Sequence, residues 1–369
     1  MNWAIISFLL WLFLFPSVIQ AKVKGQCANC HTMHYSQHGG VLSEWGTEGP
    51  YQNLLVNSCV GCHSSNTSST TYDLGGCKVP VVLYTGAAAP TTYLAGGNFW
   101  WVKEGLGNDD TKGHNVFLNE DDNLSEAPGN SVGTCGTDAC HINLSQPYSG
   151  PDMVFVLNGK YGCQGCHLNV KHHANDHANF ESGLVDSADK GWYRFLSGHG
   201  FTREGVKGYE YKDWEAGHPN LAPGGTAHNE YIGDATATGY GFLQSGGAGD
   251  GVTAFCTGCH GNFSHGGQGS SSPWKMHPSD AVIPNSGEYA NAFGASGTRT
   301  GTYNPLVPVA RPSLPSTDPS KVYIGTDMVM CLSCHRAHGS PYFKILRWNY
   351  RGWPGSGENK CNVCHTEKD

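Results

Sequence analysis

Hydrophobic and polar positions in this chain almost nowhere settle into a sustained period. The exception is the start. Met1 to Ala21 carries no charge, and Trp3 to Ile19 is apolar apart from Ser7, Pro16 and Ser17. Such a run, ending at Ala21 before Lys22, predicts a secretory signal peptide over residues 1–21 and an exported mature chain over 22–369. The rival reading, a retained membrane anchor, meets a run that falls short of the ~20 residues needed to span and contains a proline. Further on, neither helical spacing nor strand alternation persists, and the stretches 87–97, 246–251, 266–273 and 305–319 are rich in Gly, Ser and Pro. The pattern predicts an irregular fold, mostly coil with short helices and few strands, in a single domain without separable hydrophobic cores.

Composition sharpens this picture. Hydrophobic residues make up 38% of the 369 residues and 51 positions are Gly, which bury no side chain, so the polypeptide core is thin. Charged residues are scarce at 14%, and the 22 basic and 30 acidic side chains give a formal charge of −8. No basic run tracks a phosphate backbone, which excludes nucleic acid as the expected partner. What the chain has in excess is 15 Cys and 19 His.

Their spacing is specific. Cys27-Ala-Asn-Cys30-His31, Cys59-Val-Gly-Cys62-His63, Cys163-Gln-Gly-Cys166-His167, Cys256-Thr-Gly-Cys259-His260, Cys331-Leu-Ser-Cys334-His335 and Cys361-Asn-Val-Cys364-His365 repeat one pattern six times. A seventh, Cys135-Gly-Thr-Asp-Ala-Cys140-His141, has four residues between its thiols. CxxCH is the attachment pattern of c-type haem: two thiols add to the two vinyl groups, and the next residue carries an imidazole to one face of the iron. Zinc ribbons do not place His after every second Cys. The expected cofactors are therefore seven covalently attached haem c groups, which would form the core of an elongated multihaem c-type cytochrome fold. Cys77 is left over, and a buried inert thiol is its plain reading.

The seven motif histidines leave twelve others, enough to close every iron with a second imidazole, whereas methionines are too few. Two motifs carry a further His at i+3, His31-Thr32-Met33-His34 and His335-Arg336-Ala337-His338. A helical turn would keep both members on one face, so His34 and His338 are expected to ligate neighbouring haems. His114, His173, His199, His228 and His277 complete the expected distal set; His173 sits beside His172, which stays outside it, as do His38, His177, His218 and His265. Bis-His irons would be low-spin and of low potential. The intervals between first thiols, 32, 76, 28, 93, 75 and 30 residues, group the motifs as first with second, third with fourth and sixth with seventh, leaving the fifth more isolated.

The residues predict electron transfer rather than catalysis. Multihaem oxidoreductases need an open iron, some marking it with Lys in place of the motif His, and all seven motifs here end in His. A monomeric periplasmic or cell-surface shuttle is the alternative within the same chemistry.

CANCHTMHYSQ near the start, GGNFWWVKEG and TKGHNVF before the third motif, KMHP, and MCLSCHRAHGSPYFKILRWNY with the terminal CNVCHTEKD resemble the extracellular multihaem c-type cytochromes that form nanowires in metal-reducing bacteria. The resemblance covers residues 22–120 and 255–369. It implies a homopolymer built head to tail, with His34 ligating a haem of the adjacent subunit, located outside the cell or on its outer surface. Other redox proteins and metal oxides or similar terminal acceptors would be its remaining partners. Haem motifs near both ends of the mature chain agree with such an assembly, since head-to-tail contacts that do not close generate filaments.

Overall fold

The computed structural model describes residues 23, 25–31, 36–37, 40–41, 59–103, 110–117, 162–168, 170–174, 182–197, 205–235, 250–256 and 277–367. The expected signal peptide lies outside them, and so do Cys135, Cys140, His141, Cys259, His260, His34 and His199. Among the described residues no helix is long and apolar enough to cross a membrane.

Among the described residues helices are confined to about one turn, and most of the α-helices carry thiol pairs. A 3-10 turn spans Cys27–Asn29, and α1 (Cys59–His63), α3 (Cys163–Cys166) and α5 (Cys331–Cys334) hold the second, fourth and sixth motifs. The fifth begins where α4 (Val252–Cys256) ends, and a second 3-10 turn, Cys361–Val363, carries the last. Among the described residues α2 (Trp100–Lys103) is the α-helix without a motif. Two intervening residues match one turn, and no amphipathic flank offsets the cost of nucleating more. In four motifs the His N–H returns to the carbonyl of the first Cys: His31 to Cys27 at 2.8 Å, His167 to Cys163 at 2.9 Å, His335 to Cys331 at 3.1 Å and His365 to Cys361 at 2.9 Å. That bond fixes where the imidazole leaves the turn.

The strands are short, as the sequence pattern predicts, and pair into small sheets. β1 (Ser36–Gln37) pairs with β2 (Gly40–Val41), β3 (Ser64–Ser65) with β6 (Leu83–Tyr84), and β4 (Thr71–Leu74) with β5 (Cys77–Pro80). A mixed six-stranded sheet runs in the order β10 (Ala281–Val282), β14 (Met328–Val329), β12 (Ala310–Arg311), β9 (Glu230–Ile232), β8 (Gly208–Glu210), β7 (Gly183–Val185). β11 (Thr300–Thr302) and β13 (Lys321–Tyr323) form a separate hairpin-like pair. Runs of two or three residues are too short to show alternation, which is why periodicity missed the sheet. Its middle is pinned by Arg311, buried between Glu230 at 3.0 Å and Asp327 at 3.1 Å.

Apolar clusters do form. One gathers Ile283, Phe293, Tyr303, Val309, Val322 and Trp348, and another packs Tyr193, Tyr231, Val252, Met328 and Met330 under the six-stranded sheet, with Phe255, Cys256 and Leu332 at its edge. Among the described residues these are the two largest clusters; smaller ones gather Val60, Leu83, Phe99 and Val102, and Leu74, Cys77 and Val79, beside the second motif.

Candidate functional site

The motif histidines are met by other histidines at one repeated distance. Ring centres of His31 and His173 are 6.3 Å apart, those of His63 and His172 6.1 Å, those of His167 and His338 6.2 Å, and those of His277 and His365 6.1 Å. An imidazole nitrogen binds a metal at about 2 Å, and its ring centre lies roughly 1.1 Å beyond, so two imidazoles on opposite sides of one metal stand about 6.2 Å apart. All four pairs have that separation. Among the described residues no group of three or more His, Cys, Asp or Glu could hold a metal by itself. Two ligands per site suit a metal whose remaining positions are filled by a macrocycle, which is the chemistry of haem iron.

The tautomers agree. His63 Nδ1 donates to Pro80 O at 3.0 Å, His114 to Ala337 O at 2.8 Å, His167 to Arg194 O at 2.8 Å, His277 to Pro278 O at 2.9 Å and His335 to Lys344 O at 2.9 Å. A carbonyl oxygen only accepts, so Nδ1 holds the proton and the Nε2 lone pair is left for a metal. Desolvation lowers the proton affinity of His63, His114, His167 and His335, and together with His167 and His114 it brings His338 down to about 3. These five are neutral at neutral pH, as ligation requires.

Two backbone devices aim the distal imidazoles. The helix of the sixth motif stops at Cys334, and His335 is already extended, with φ −111° and ψ 159°. His338 therefore owes its direction to a crossing of three glycines rather than to a helical turn, a correction to the i+3 argument. Gly97, at φ +93°, and Gly113 both bridge to Gly339. There His338 N–H donates to Gly96 O at 2.8 Å, His114 N–H to His338 O at 3.1 Å and Asn98 N–H to Gly339 O at 3.0 Å. Phe99 stacks on the His338 ring at 4.7 Å. Elsewhere His172 and His173, successive residues of one turn, face two different motifs, and Phe195 packs edge-on against His172 at 5.6 Å.

Of the expected distal residues, His173, His277 and His338 are thus brought opposite motif histidines, and His114 lies within electrostatic reach of His335. His172 was passed over by the sequence reading; its signal was the unbroken His-His pair. His228 is a correction. Its Nδ1 faces Asn229 O at 2.8 Å, its Nε2 faces Pro319 O at 2.9 Å, and its ring lies flat on Tyr303 at 3.6 Å. Both nitrogens are engaged by carbonyls, so His228 is a buried packing residue rather than a ligand.

The thiols also approach one another. The Cys163 thiol lies close enough to that of Cys59 to perturb it, and the Cys256 thiol does the same to that of Cys331. Cys62 is influenced by Cys30, and Cys334 by Cys361 and Cys364. The fifth motif is therefore joined to the sixth, not isolated.

A further feature fits a large anionic cofactor. Arg336 and Arg347 are both buried and share one acceptor, Ala95 O, at 2.8 and 3.0 Å. Arg336 Nε and Nη2 and Arg347 Nε have no hydrogen-bond partner among the described residues. Burial and the neighbouring Arg347 bring Arg336 down to about 9. Two buried cations on one carbonyl are costly without anions; the buried Glu215 carboxylate lies within electrostatic reach of Arg336, and propionate carboxylates would supply further negative charge for the unfilled donors.

The model of the doubled CXXCH motif family matches residues 325–369, which hold the sixth and seventh motifs. The chain is 26% identical to C-type cytochrome OmcS of Geobacter sulfurreducens, over 88% of this chain and 78% of that protein. Two solved structures are also similar at 20% identity, covering 90% of this chain and 85% of theirs: the Outer Membrane Cytochrome S filament from the same organism, with a TM-score of 0.41, and the OmcS nanowires, with 0.42.

Proposed function

We propose that this chain, an OmcS-like multihaem c-type cytochrome, holds seven haem c groups in one relay of bis-His irons and passes electrons along it as a subunit of an extracellular filament, delivering them to terminal acceptors such as metal oxides. The observation that carries this is the repeated 6.1–6.3 Å spacing of facing imidazoles. Bound haem supplies one-electron chemistry; the protein supplies placement and potential.

In this reading the cysteine pairs hold the haems by thioether bonds. His31 and His173 close the first iron, His63 and His172 the second, His167 and His338 the fourth, and His277 and His365 the seventh, while His114 serves His335 at the sixth. The contacts also order the relay. Adjacent His172 and His173 tie the first haem to the second, the Cys59–Cys163 contact ties second to fourth, and His338 reaches from the sixth segment to the fourth. Cys256–Cys331 and Cys334–Cys361 then bring the fifth and seventh to the sixth.

The filament part of the reading is supported by sequence likeness to OmcS, whose solved structures are a filament and nanowires, and it takes His34 as the ligand offered to a second copy. A site outside the cell or on its surface follows from that assembly and from the expected signal peptide.

The test is cofactor stoichiometry with ligand access. Pyridine haemochrome analysis of the purified protein returns seven haem c per chain, and reduced protein fails to bind carbon monoxide. Far fewer haems, or an iron that binds it readily, contradicts the reading.

A further inference from the structure

We infer that Glu288 lowers the potential of the seventh haem iron, making that end of the relay more reducing than the sixth haem beside it. The inference rests on the ligation proposed above, with His277 and His365 on the seventh iron.

Its observation is a difference in what stands behind the axial imidazoles. His63, His114, His167, His277 and His335 each give Nδ1–H to a neutral main-chain carbonyl. His365 Nδ1 instead lies 3.3 Å from a carboxylate oxygen, Glu288 Oε1, too bent for a hydrogen bond but well within charge contact. The side chains are 19% and 20% exposed, so water screens the contact only in part. The arrangement is anchored by main chain: Thr366 donates both its N–H, at 3.1 Å, and its hydroxyl to Glu288 O. Tyr289, the next residue, sets its ring 5.1 Å from that of His365.

Even without a hydrogen bond, a carboxylate this close behind a metal-bound imidazole stabilises positive charge on the ring and so strengthens it as a donor. It also places negative charge near the iron. Both favour ferric over ferrous iron, and the potential falls. Glu288 exchanges no atom or electron in this role; each passage is one electron on and one electron off the iron. The sixth haem has the opposite surroundings. His335 meets the neutral carbonyl of Lys344 and lies within electrostatic reach of Arg347, which is buried beside Arg336. Positive charge favours ferrous iron, so an electron arriving at the seventh haem runs downhill to the sixth. The C-terminal haem is then an entry point.

The geometry also labels this haem. Among the four facing pairs, His277 and His365 are perpendicular at 90°, His167 and His338 are tilted at 56°, and His31 with His173 and His63 with His172 are near parallel at 15° and 18°. Perpendicular imidazoles give a highly anisotropic low-spin ferric signal, distinct from the rhombic signal of parallel ones. The experiment is a potentiometric titration of full-length holoprotein followed by electron paramagnetic resonance, on wild type, Glu288→Gln and Glu288→Asp. The expected result is that one highly anisotropic component, the most reducing of its class in wild type, moves to higher potential in Glu288→Gln and returns towards its original value in Glu288→Asp. The Thr366 clamp uses the main-chain oxygen, so haem content and melting temperature stay unchanged. An unmoved component overturns the role of Glu288. Absence of any highly anisotropic signal in wild type overturns the ligation on which it rests.

Discussion

His338 stands ring to ring with His167 at 6.2 Å, so the segment that follows the sixth thiol pair closes over the fourth. One side chain thereby ties two parts of the chain that are remote in sequence.

Replacing His338 by Ala is expected to leave seven haems attached and open one iron. Carbon monoxide then binds one haem per chain, and a high-spin ferric signal appears. A fully low-spin spectrum would place His338 elsewhere.

His172 and His173 give a paired prediction. Each single Ala variant opens one iron, the second or the first, and the double variant opens two, read as the stoichiometry of carbon monoxide binding. The two effects add because each imidazole faces its own motif residue.

Gly97→Ala strikes backbone. A Cβ at that position meets the Gly339 carbonyl, and φ of +93° disfavours any side chain. A loss of about 1–3 kcal/mol is expected, seen as a lower melting temperature, with displacement of His338 and partial opening of its iron. Gly76→Ala, with nothing near its Cβ, is the matched control for positive φ.

Arg311→Met removes the cation between two buried carboxylates, Glu230 and Asp327, at the middle of the six-stranded sheet. Uncompensated buried charge costs about 3–5 kcal/mol. Denaturant unfolding should show that loss while haem content at the first and second motifs is kept.

His34→Ala tests assembly. Seven haems per chain are expected with filaments absent under electron microscopy; unaltered filaments would refute the intersubunit role.

How much of this could be read from sequence varies with the physics involved. The thiol pairs were legible because haem attachment demands contiguous residues, and their one-turn helices followed from the same spacing. His277 and His338, which the structure sets opposite His365 and His167, could be singled out from their motif contexts. His172 was not separable from His173, because adjacency alone does not say which ring faces which iron. His228 misled for a related reason: a buried imidazole set between the Asn229 and Pro319 carbonyls looks, as sequence, like any spare histidine. The six-stranded sheet escaped notice because its strands, such as Ala310–Arg311, are too short to carry a period. Glu288 had no signal at all, since its role arises from a turn folded onto a motif far along the chain.

The most direct measurement is a cryo-EM reconstruction of the native protein at a resolution that separates imidazole rings from porphyrin. The account predicts iron density midway between His31 and His173, His63 and His172, His167 and His338, and His277 and His365. A haem closed by any other residue at one of these four positions, or a pair with no iron between its rings, would contradict it.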